Sequence, residues 1–328
     1  MRTIPNPEKF NFTEIVYKPH RIIIPVYIPE SNDFYYSSLF EVFKMSIFSL
    51  LKTVNNFNAA ITIINNNCKN EVTEYIDSLL AEKKIDKHVK LSENYGKVHT
   101  ILSEARGCYE PYITIADADV FYFNNWEEEV FEIFKTFPKV GVVSPVPSPH
   151  LFKYCNISFI IDNIFNLKKG KILTDQSFRL FAEGINKSPN FFFKGKIDFK
   201  ETQYYIEKNK TKACLGATHF IATYKNEMFK WIPLKKPKFK FKIGDEGVFI
   251  DSEIDKIGYG RLSTIDSYAY HLGYSNPDWT MNYQFRPSKF LFPSIKSNNL
   301  GAKQTGLVFN IKKLIYKLLK RLKIIDAL

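Results

Sequence analysis

Cysteine is scarce in this chain of 328 residues, and the few cysteines are scattered. They form no Cys-x-x-Cys pair, and no histidine cluster lies near them at the spacing of zinc ligands; they are Cys68, Cys108, Cys155 and Cys214. This pattern argues against a zinc-binding module. We expect reduced thiols in the core of a cytosolic protein.

Long apolar runs and internal repeats are also missing. No apolar run is long enough to span a bilayer, and the first seven residues carry two prolines in a polar context, unlike a secretory signal. No self-similar period indicates a repeat architecture. The sequence therefore predicts a globular protein that works in the cytoplasm.

Acidic residues are outnumbered: 34 Asp and Glu face 46 Lys and Arg, which leaves a formal charge of +12. Such a balance favours phosphate-bearing ligands or anionic membranes as partners. We expect no nucleic-acid partner, because the chain contains no recognised nucleic-acid module. The run 235–242 alternates Lys with aromatic residues, and three interpretations stay open: a strand with one cationic face, an edge strand protected by lysines, or a loop that closes over a ligand.

The first half of the chain alternates strand and helix patterns. With 45% hydrophobic residues the chain can bury a substantial core. Strand patterns cover residues 22–26, 61–64, 89–91 and 113–116, and helix patterns cover 38–53, 71–81 and 97–105. This order predicts an α/β fold with a mostly parallel open sheet flanked by helices.

Two carboxylates follow the fourth of these strands. Asp117 and Asp119 are separated by one residue, so strand periodicity puts them on the same side of the chain at a strand end. Carboxylate oxygens are the ligands that Mg²⁺ and Mn²⁺ prefer, and such a metal can hold a diphosphate. Alternatively, two aspartates simply cap a strand and begin a turn.

The order of several motifs resembles the family 2 glycosyltransferases with a GT-A fold. The motifs are Pro-Val-Tyr at 25–27, Asn-Asn-Asn at 65–67, Asn-Tyr-Gly-Lys at 94–97, Asp-Ala-Asp at 117–119, Gly-Asp-Glu at 244–246, Gly-Tyr at 258–259 and Ala-Tyr-His at 269–271. The resemblance covers roughly residues 20–275, and the joint order is more specific than any single motif. It implies a GT-A-type, Rossmann-like open mixed sheet and a nucleotide-sugar donor.

The resemblance also implies a metal site. Asp119 would be a direct ligand, Asp117 would bridge to ribose or sugar hydroxyls and metal-bound water, and His271 would be a further ligand. An imidazole ligand suits Mn²⁺ better than Mg²⁺. A lone histidine before a loop is otherwise more often a structural residue.

Other residues would then bind the nucleotide. The base-and-ribose wall would comprise Pro25, Tyr27 and Glu30, although Tyr27 is equally consistent with a rim aromatic. Asn65 and Asn66 stand where many relatives carry an aspartate that reads the base; an amide still reads a uracil edge.

Lys97 would touch the diphosphate as a point charge, or would be a solvated lysine at a helix start. Arg106 is a second, weaker candidate for contact with the phosphates, because a charge at a helix end needs no function.

Acidic residues in the second half are candidates for the catalytic base. In inverting members a carboxylate deprotonates the acceptor hydroxyl as that oxygen attacks the anomeric carbon. Asp245 and Glu246 match this position, and Asp251 is a local rival. The alternative is a helix amino-terminus enriched in acid, which favours the helix dipole.

The carboxyl-terminal residues 311–325 form an amphipathic pattern with apolar residues on one side and cations on the other. Such helices lie at anionic membrane surfaces, although a surface helix docked on its own domain fits the pattern as well. We predict an amino-terminal extension (1–20), a nucleotide-sugar-binding half (21–150), an acceptor-binding half of the same domain (151–290) and a tail with the basic helix (291–328).

The sequence thus favours a metal-dependent transferase that uses Mn²⁺ or Mg²⁺ and moves a sugar from a nucleoside-diphosphate sugar, preferably a UDP-sugar, to a glycan or lipid-linked acceptor in surface polysaccharide or glycoconjugate assembly. The expected location is the cytoplasm, including the inner face of the cell membrane. A nucleotidyltransferase and a non-catalytic scaffold with the same fold are the alternatives. Against the nucleotidyltransferase, this chain lacks the glycine-rich loop that such enzymes usually carry after the first strand.

Overall fold

The computed structural model describes residues 6–194, 197–240, 242, 244–292, 303–322 and 325. Residues 1–5 of the predicted extension, Phe241 of the Lys-aromatic run, and several residues of the predicted tail, including 323 and 324 of its helix pattern, lie outside the described residues.

Fourteen strands are present in the described chain. They are β1 (His20–Val26), β2 (Ala59–Asn65), β3 (Lys87–Lys90), β4 (Tyr112–Ala116), β5 (Val120–Tyr122), β6 (Val140–Ser144), β7 (Lys168–Gly170), β8 (Phe193–Lys194), β9 (Ile197–Asp198), β10 (Gln203–Lys208), β11 (Thr211–Leu215), β12 (Ile221–Lys225), β13 (Gly260–Ser263) and β14 (Ala269–His271).

Ten α-helices accompany them. They are α1 (Phe34–Ser37), α2 (Leu39–Thr53), α3 (Asn70–Ala81), α4 (Lys97–Ala105), α5 (Trp126–Thr136), α6 (Ile157–Asp162), α7 (Asp175–Gly184), α8 (Glu227–Trp231), α9 (Ser252–Ile257) and α10 (Gly306–Arg321). A π-helical turn, Gly247–Asp251, leads directly into α9.

Ten of the strands form one mixed sheet in the order β3-β2-β1-β4-β12-β6-β13-β11-β10-β7. The neighbours β3, β2, β1 and β4 are all parallel, as the alternation of strands and helices predicted. Strand β12 then runs antiparallel between β4 and β6. The sheet takes strands from residues 21–150 and from residues 151–290. The predicted class, an open mixed α/β sheet flanked by helices with a basic amphipathic helix near the carboxyl terminus, is confirmed.

The central strands bury both faces, which explains their nearly continuous apolar sequences. All seven residues of β2 are buried. On one side the strands pack against α2, α3 and α5, with Ile22 and Ile24 pointing into that core. On the other side Ile23 packs with residues of α4, α8 and α9. Side-chain alternation along each strand therefore feeds two cores, and both need apolar residues.

Predictions that depended on one local sequence pattern were confirmed. The three helices expected in the first half are α2, α3 and α4 within one residue at each end. All four cysteines are free thiols, and two of them are buried. The two strand interpretations of the run 235–242 were wrong, because its described residues form a loop.

Parallel pairing brings the carboxyl ends of β1, β2 and β4 to one edge of the sheet. The antiparallel strand β12 begins at the same edge, where the backbone N–H of Asp117 donates to the carbonyl of Phe220 (2.8 Å). The ribbon of β5 and β14 pairs His271 with Val120 just beyond Asp119. This edge collects residues from distant parts of the chain.

Candidate functional site

A cavity of about 690 Å³ opens at this edge of the sheet. Its walls come from the end of β1, the loop before α4, the turn after β4, the segment before β12 and the turn that begins at Gly244. Clefts of this size at the carboxyl edge of an open α/β sheet are the usual place for nucleotide ligands.

Three side chains at the cavity form a potential metal site. One ligand atom from each of Asp117, Asp119 and His271 lies within 4.8 Å of the others, and Nε2 of His271 lies 3.3 Å from Oδ2 of Asp119. Two carboxylates and one imidazole match the donor set of Mn²⁺ and similar divalent cations. The structure thus brings together the three residues that the family resemblance implied as metal ligands.

The backbone fixes the orientation of the His271 ring. Nδ1 of His271 lies 2.8 Å from the carbonyl oxygen of Gly184, at the end of α7. Because a carbonyl can only accept, Nδ1 carries a proton, which leaves Nε2 as the ring nitrogen that can bind a cation. A side chain at position 184 would crowd His271, since a Cβ there would lie 2.9 Å from the His271 carbonyl oxygen.

The carboxylate of Asp119 also fits a cation. Its Oδ1 is buried and has no hydrogen-bond partner among the described residues. Burial raises the pKa of Asp119 to about 6; the repulsion of Asp117 adds to this shift, while the nearby His271 opposes it. A buried, unpartnered carboxylate oxygen is costly in the protein alone, and a bound cation would satisfy it.

Lys97 connects the metal-site carboxylates to the acidic motif. Its Nζ lies 2.5 Å from Oδ1 of Asp117 and 3.2 Å from Oε1 of Glu246. Although burial lowers the pKa of Lys97, the attraction of Asp117 and Glu246 is stronger and holds that pKa above its usual range. Lys97 is therefore a fixed positive charge on the cavity wall, between Asp117 and Glu246.

The three acidic residues considered as the catalytic base differ in their exposure to the cavity. Glu246 lines the cavity with 23% of its side chain exposed. Asp245 is 8% exposed and is not among the lining residues. Asp251 is fully buried and forms an ion pair with Arg261, which is also fully buried. Glu246 is the acid of this motif that a ligand can reach.

The residues expected to contact the nucleotide base differ in position, because some line the cavity and others do not. Pro25 and Tyr27 line the cavity, and Tyr27 is 37% exposed. Glu30 is exposed and lies outside the lining. The side chain of Asn65 does not reach the cavity, because its amide donates to Thr73 (2.8 Å) and accepts from the Cys68 N–H (2.7 Å).

Asn66 lines the cavity but holds the neighbouring loop. Its amide donates to Asn94 Oδ1 (2.8 Å) and accepts from the Tyr95 N–H (2.9 Å). Asn66 therefore shapes this end of the cavity through the backbone of the loop before α4.

Arg106, the second candidate for contact with the phosphates, does not line the cavity. Its guanidinium donates to the carbonyls of Ile232 and Pro233.

Sequence reasoning assigned no role to several lining residues. Thr218, His219 and Phe220 precede β12, and the Phe220 ring packs 5.1 Å from the His271 ring. An apolar wall contains Leu151, Phe181, Ile185 and Phe191, together with His150. The sequence pattern did not mark these wall residues, because aromatic residues such as Phe181 have the same pattern in a core.

Comparisons with known proteins give structural similarity alone. No protein-family model and no curated protein matches this chain. Among solved structures, it is similar to the mannosyltransferase PcManGT from Pyrobaculum calidifontis, in complex with GDP-Man and Mn²⁺, with 13% identity and a TM-score of 0.43 over 80% of this chain and 56% of that chain. It is also similar to residues 1–349 of S. aureus TarS, with 10% identity and a TM-score of 0.44 over 77% of this chain and 60% of that chain.

The same TarS fragment in complex with UDP gives a TM-score of 0.41 at 10% identity, with the same coverage of 77% and 60%. The chain thus spans less than two thirds of the length of these structures. Their similarity concerns the overall fold alone.

Proposed function

We propose that this protein is a metal-dependent glycosyltransferase that moves a sugar from a nucleoside-diphosphate sugar, preferably a UDP-sugar, to a glycan or lipid-linked acceptor. The observation that carries the proposal is the placement of Asp117, Asp119 and His271 in the same cavity as Lys97 and Glu246. Together they offer a cation site, a positive charge for phosphate and a carboxylate base.

Asp117, Asp119 and His271 would hold the divalent cation. Bound there, the cation would neutralise the charge that develops on the departing diphosphate. The imidazole in this ligand set favours Mn²⁺ over Mg²⁺. Lys97 adds a second positive charge beside Asp117, where it can contact a phosphate oxygen.

Glu246 is the proposed base. Among the described lining residues it is the one carboxylate outside the metal cluster. A direct displacement needs one base, placed to take the proton of the acceptor hydroxyl while that oxygen attacks the anomeric carbon. One such carboxylate supports transfer with inversion. Asp245 is buried and would help to position the turn that carries Glu246.

Helix α10 supports a membrane-proximal acceptor. Tyr316 is buried against the body of the protein, whereas the opposite face exposes an apolar stripe: Leu307, Ile311, Leu314, Leu318 and Leu322 are each 48% to 71% exposed. Lys313, Lys317 and Arg321 lie beside this stripe in the sequence pattern of the helix. Such a surface fits the interface of an anionic membrane. No described helix is both long and apolar enough to cross a bilayer.

Ligand-dependent stabilisation tests the donor and the metal together. Unfolding midpoints would be measured with UDP, GDP, CMP and their common sugars, each with Mn²⁺, with Mg²⁺ and with a chelator. We expect stabilisation by UDP and a UDP-sugar only with metal present, of about 2.7 kcal/mol at a hundredfold excess over Kd.

Transfer itself is read from nucleotide release and from a new glycosidic product. Folded protein that responds to no nucleotide under any metal condition would contradict the proposal. Stabilisation by a nucleoside triphosphate with release of pyrophosphate would indicate a nucleotidyltransferase instead. Donor binding without turnover over a broad acceptor panel would favour a scaffold.

A further inference from the structure

A lysine-rich loop borders the cavity, and the proposed function gives it no role. Residues 233–240 and 242, here called the basic loop, follow α8 and lead to the turn that carries Glu246. Lys240 is exposed to solvent and also lines the cavity, so the loop forms part of the cavity rim. We propose that the basic loop docks onto an anionic membrane surface and holds this rim at the bilayer. Only the link to a lipid-linked acceptor rests on the proposed function.

The lysines of the basic loop face solvent without acidic partners. Lys236, Lys238 and Lys240 are exposed, and none of them forms an ion pair within the described part of the chain. Neighbouring charges of one sign repel each other, and negative charge from outside the protein relieves that repulsion. An anionic partner therefore fits this loop.

Two large apolar side chains stand among these lysines. Leu234 is 85% exposed and Phe239 is 57% exposed. Such a pattern suits a lipid interface, where apolar side chains enter the headgroup region while ammonium groups contact the lipid phosphates. A small phosphate ligand would use the lysines but leave Leu234 and Phe239 in water. The combination therefore favours a membrane over a soluble anion.

The body of the protein holds the loop at several points. At its start, Arg106 donates to the carbonyl of Pro233 (3.0 Å), and Nζ of Lys235 lies 2.8 Å from a carboxylate oxygen of α9. Farther along, the backbone of Lys240 packs closely against Gly96. A loop held in this way loses little conformational freedom when it docks. Arg106 thus supports the loop rather than a phosphate.

The basic loop adjoins the helix that carries the other exposed apolar surface. The carboxylate that pairs with Lys235 belongs to Glu253 of α9. At the end of α9, Gln304 attaches the segment before α10: its N–H donates to the carbonyl of Ile257 (3.2 Å), and its side-chain amide donates to that of Lys256 (3.0 Å). Helix α9 has six residues, a length of about 9 Å. The two attachment points are no farther apart than this helix, which is compatible with one membrane surface that contacts both.

Docking at this loop has a consequence for the acceptor. Lys240 and Glu246 line the same cavity, so a membrane at the loop would bring the proposed base close to the lipid headgroups. A hydroxyl carried on a membrane lipid would then reach the base while its lipid chain stays in the bilayer.

Sedimentation with vesicles measures the contact. The whole protein would be mixed with vesicles of phosphatidylcholine alone, and with vesicles of phosphatidylcholine and phosphatidylglycerol in equal parts. One variant, Lys236→Gln with Lys238→Gln, removes two charges of the loop, and a second, Phe239→Ser, removes its aromatic side chain. None of these residues lines the cavity. Because α10 is unchanged in both variants, a loss of binding belongs to the loop.

Matched controls come from the opposite edge of the sheet. Phe57, which is 90% exposed, precedes β2, and the exposed Lys83 and Lys84 precede the parallel strand β3. The amino ends of these strands lie away from the cavity. The controls are Phe57→Ser, and Lys83→Gln with Lys84→Gln, which lowers the net charge by the same amount as the loop variant.

We expect wild type to sediment with the anionic vesicles and much less with the neutral ones. The two-lysine loop variant should lower the partition coefficient on anionic vesicles about 25-fold, at about 5-fold for each lysine near the surface. Phe239→Ser should lower it about 5-fold. Both controls should stay within about 2-fold of wild type, because exposed charges far from the surface are screened. Unfolding midpoints should be equal in all five proteins.

Equal sedimentation of wild type and both loop variants would overturn the inference, and so would equal losses in the loop variants and their controls. Unchanged sedimentation with weaker UDP binding in the two-lysine variant would overturn it in favour of a loop that closes over the donor. Unchanged sedimentation with lost binding of a single-stranded oligonucleotide would overturn it in favour of a nucleic-acid partner. Wild type that sediments as expected but binds no nucleotide with metal would remove the proposed function and leave the membrane contact intact.

Discussion

The loop before α4 makes a quantitative prediction through Gly96. This residue has φ 83° and ψ 157°, a region that is essentially restricted to glycine. A Cβ at position 96 would lie 2.0 Å from the carbonyl oxygen of Lys240 and 2.8 Å from its Cα. Both contacts are with backbone, so no side-chain rotation can relieve them. Gly96 and Lys240 both line the cavity, and their close contact fixes the distance between two of its walls.

Gly96→Ala should therefore lower the free energy of unfolding through two separable effects. The glycine-restricted backbone conformation costs about 1–3 kcal/mol for a residue with a Cβ. Displacement of the packed loop at Lys240 adds about 1–3 kcal/mol, the usual range for overpacking. We expect a loss of about 2–6 kcal/mol in the free energy of unfolding, measured by urea titration at constant slope.

Two other glycines supply the controls. Gly244 also has a positive φ, 87°, but a Cβ there would meet no atom of the described residues within 4 Å. Gly244→Ala should show the cost of the backbone conformation alone, about 1–3 kcal/mol. Gly107 has no positive φ and would gain an ordinary contact at 3.5 Å, so Gly107→Ala should stay within about 0.5 kcal/mol of wild type. Equal losses for Gly96→Ala and Gly244→Ala would refute the steric part of the reasoning.

The remaining predictions concern the site and the surface helix. Asp119→Asn should abolish metal-dependent donor binding in calorimetry with Mn²⁺; tight binding by this variant without added metal would contradict the assignment. Glu246→Gln should keep donor binding but lower kcat by about 10²- to 10⁴-fold, the usual worth of a general base. Asp245→Asn should likewise keep donor binding and lose transfer, but less of it, and unchanged turnover in both variants would exclude this motif from catalysis. The double variant Leu314→Glu, Leu318→Glu should lose sedimentation with vesicles containing anionic lipid while keeping its unfolding midpoint; equal sedimentation of this variant and wild type would place the membrane contact elsewhere.

Much of the candidate site could be predicted from the order of motifs in the sequence. Asp117 and Asp119 lie where the pattern of β4 predicted, because an apolar strand that ends on two carboxylates leaves little choice of conformation. The parallel half of the sheet was predictable for a similar reason: its strands are buried on both faces and therefore have nearly continuous apolar sequences. The prediction for Asn65 was wrong in one respect. Asn65 is the last residue of β2, at the predicted strand end, but local hydrogen bonds to Thr73 and Cys68 turn its amide away from the cavity.

Three features depended on the tertiary structure, because each joins segments that are distant in sequence. The choice of Glu246 over Asp245 depends on the direction in which one turn faces the cavity. The contact of Lys97 with both Asp117 and Glu246 exists only because the two halves share one sheet. Arg261 joins Asp251 to the carbonyl of Ala217, and no sequence pattern reveals this buried charge. The sequence by itself determined which chemical groups stand at the ends of strands, since strand and helix periods are local. Packing decided which of those groups meet, because contacts between distant segments are set by the whole core.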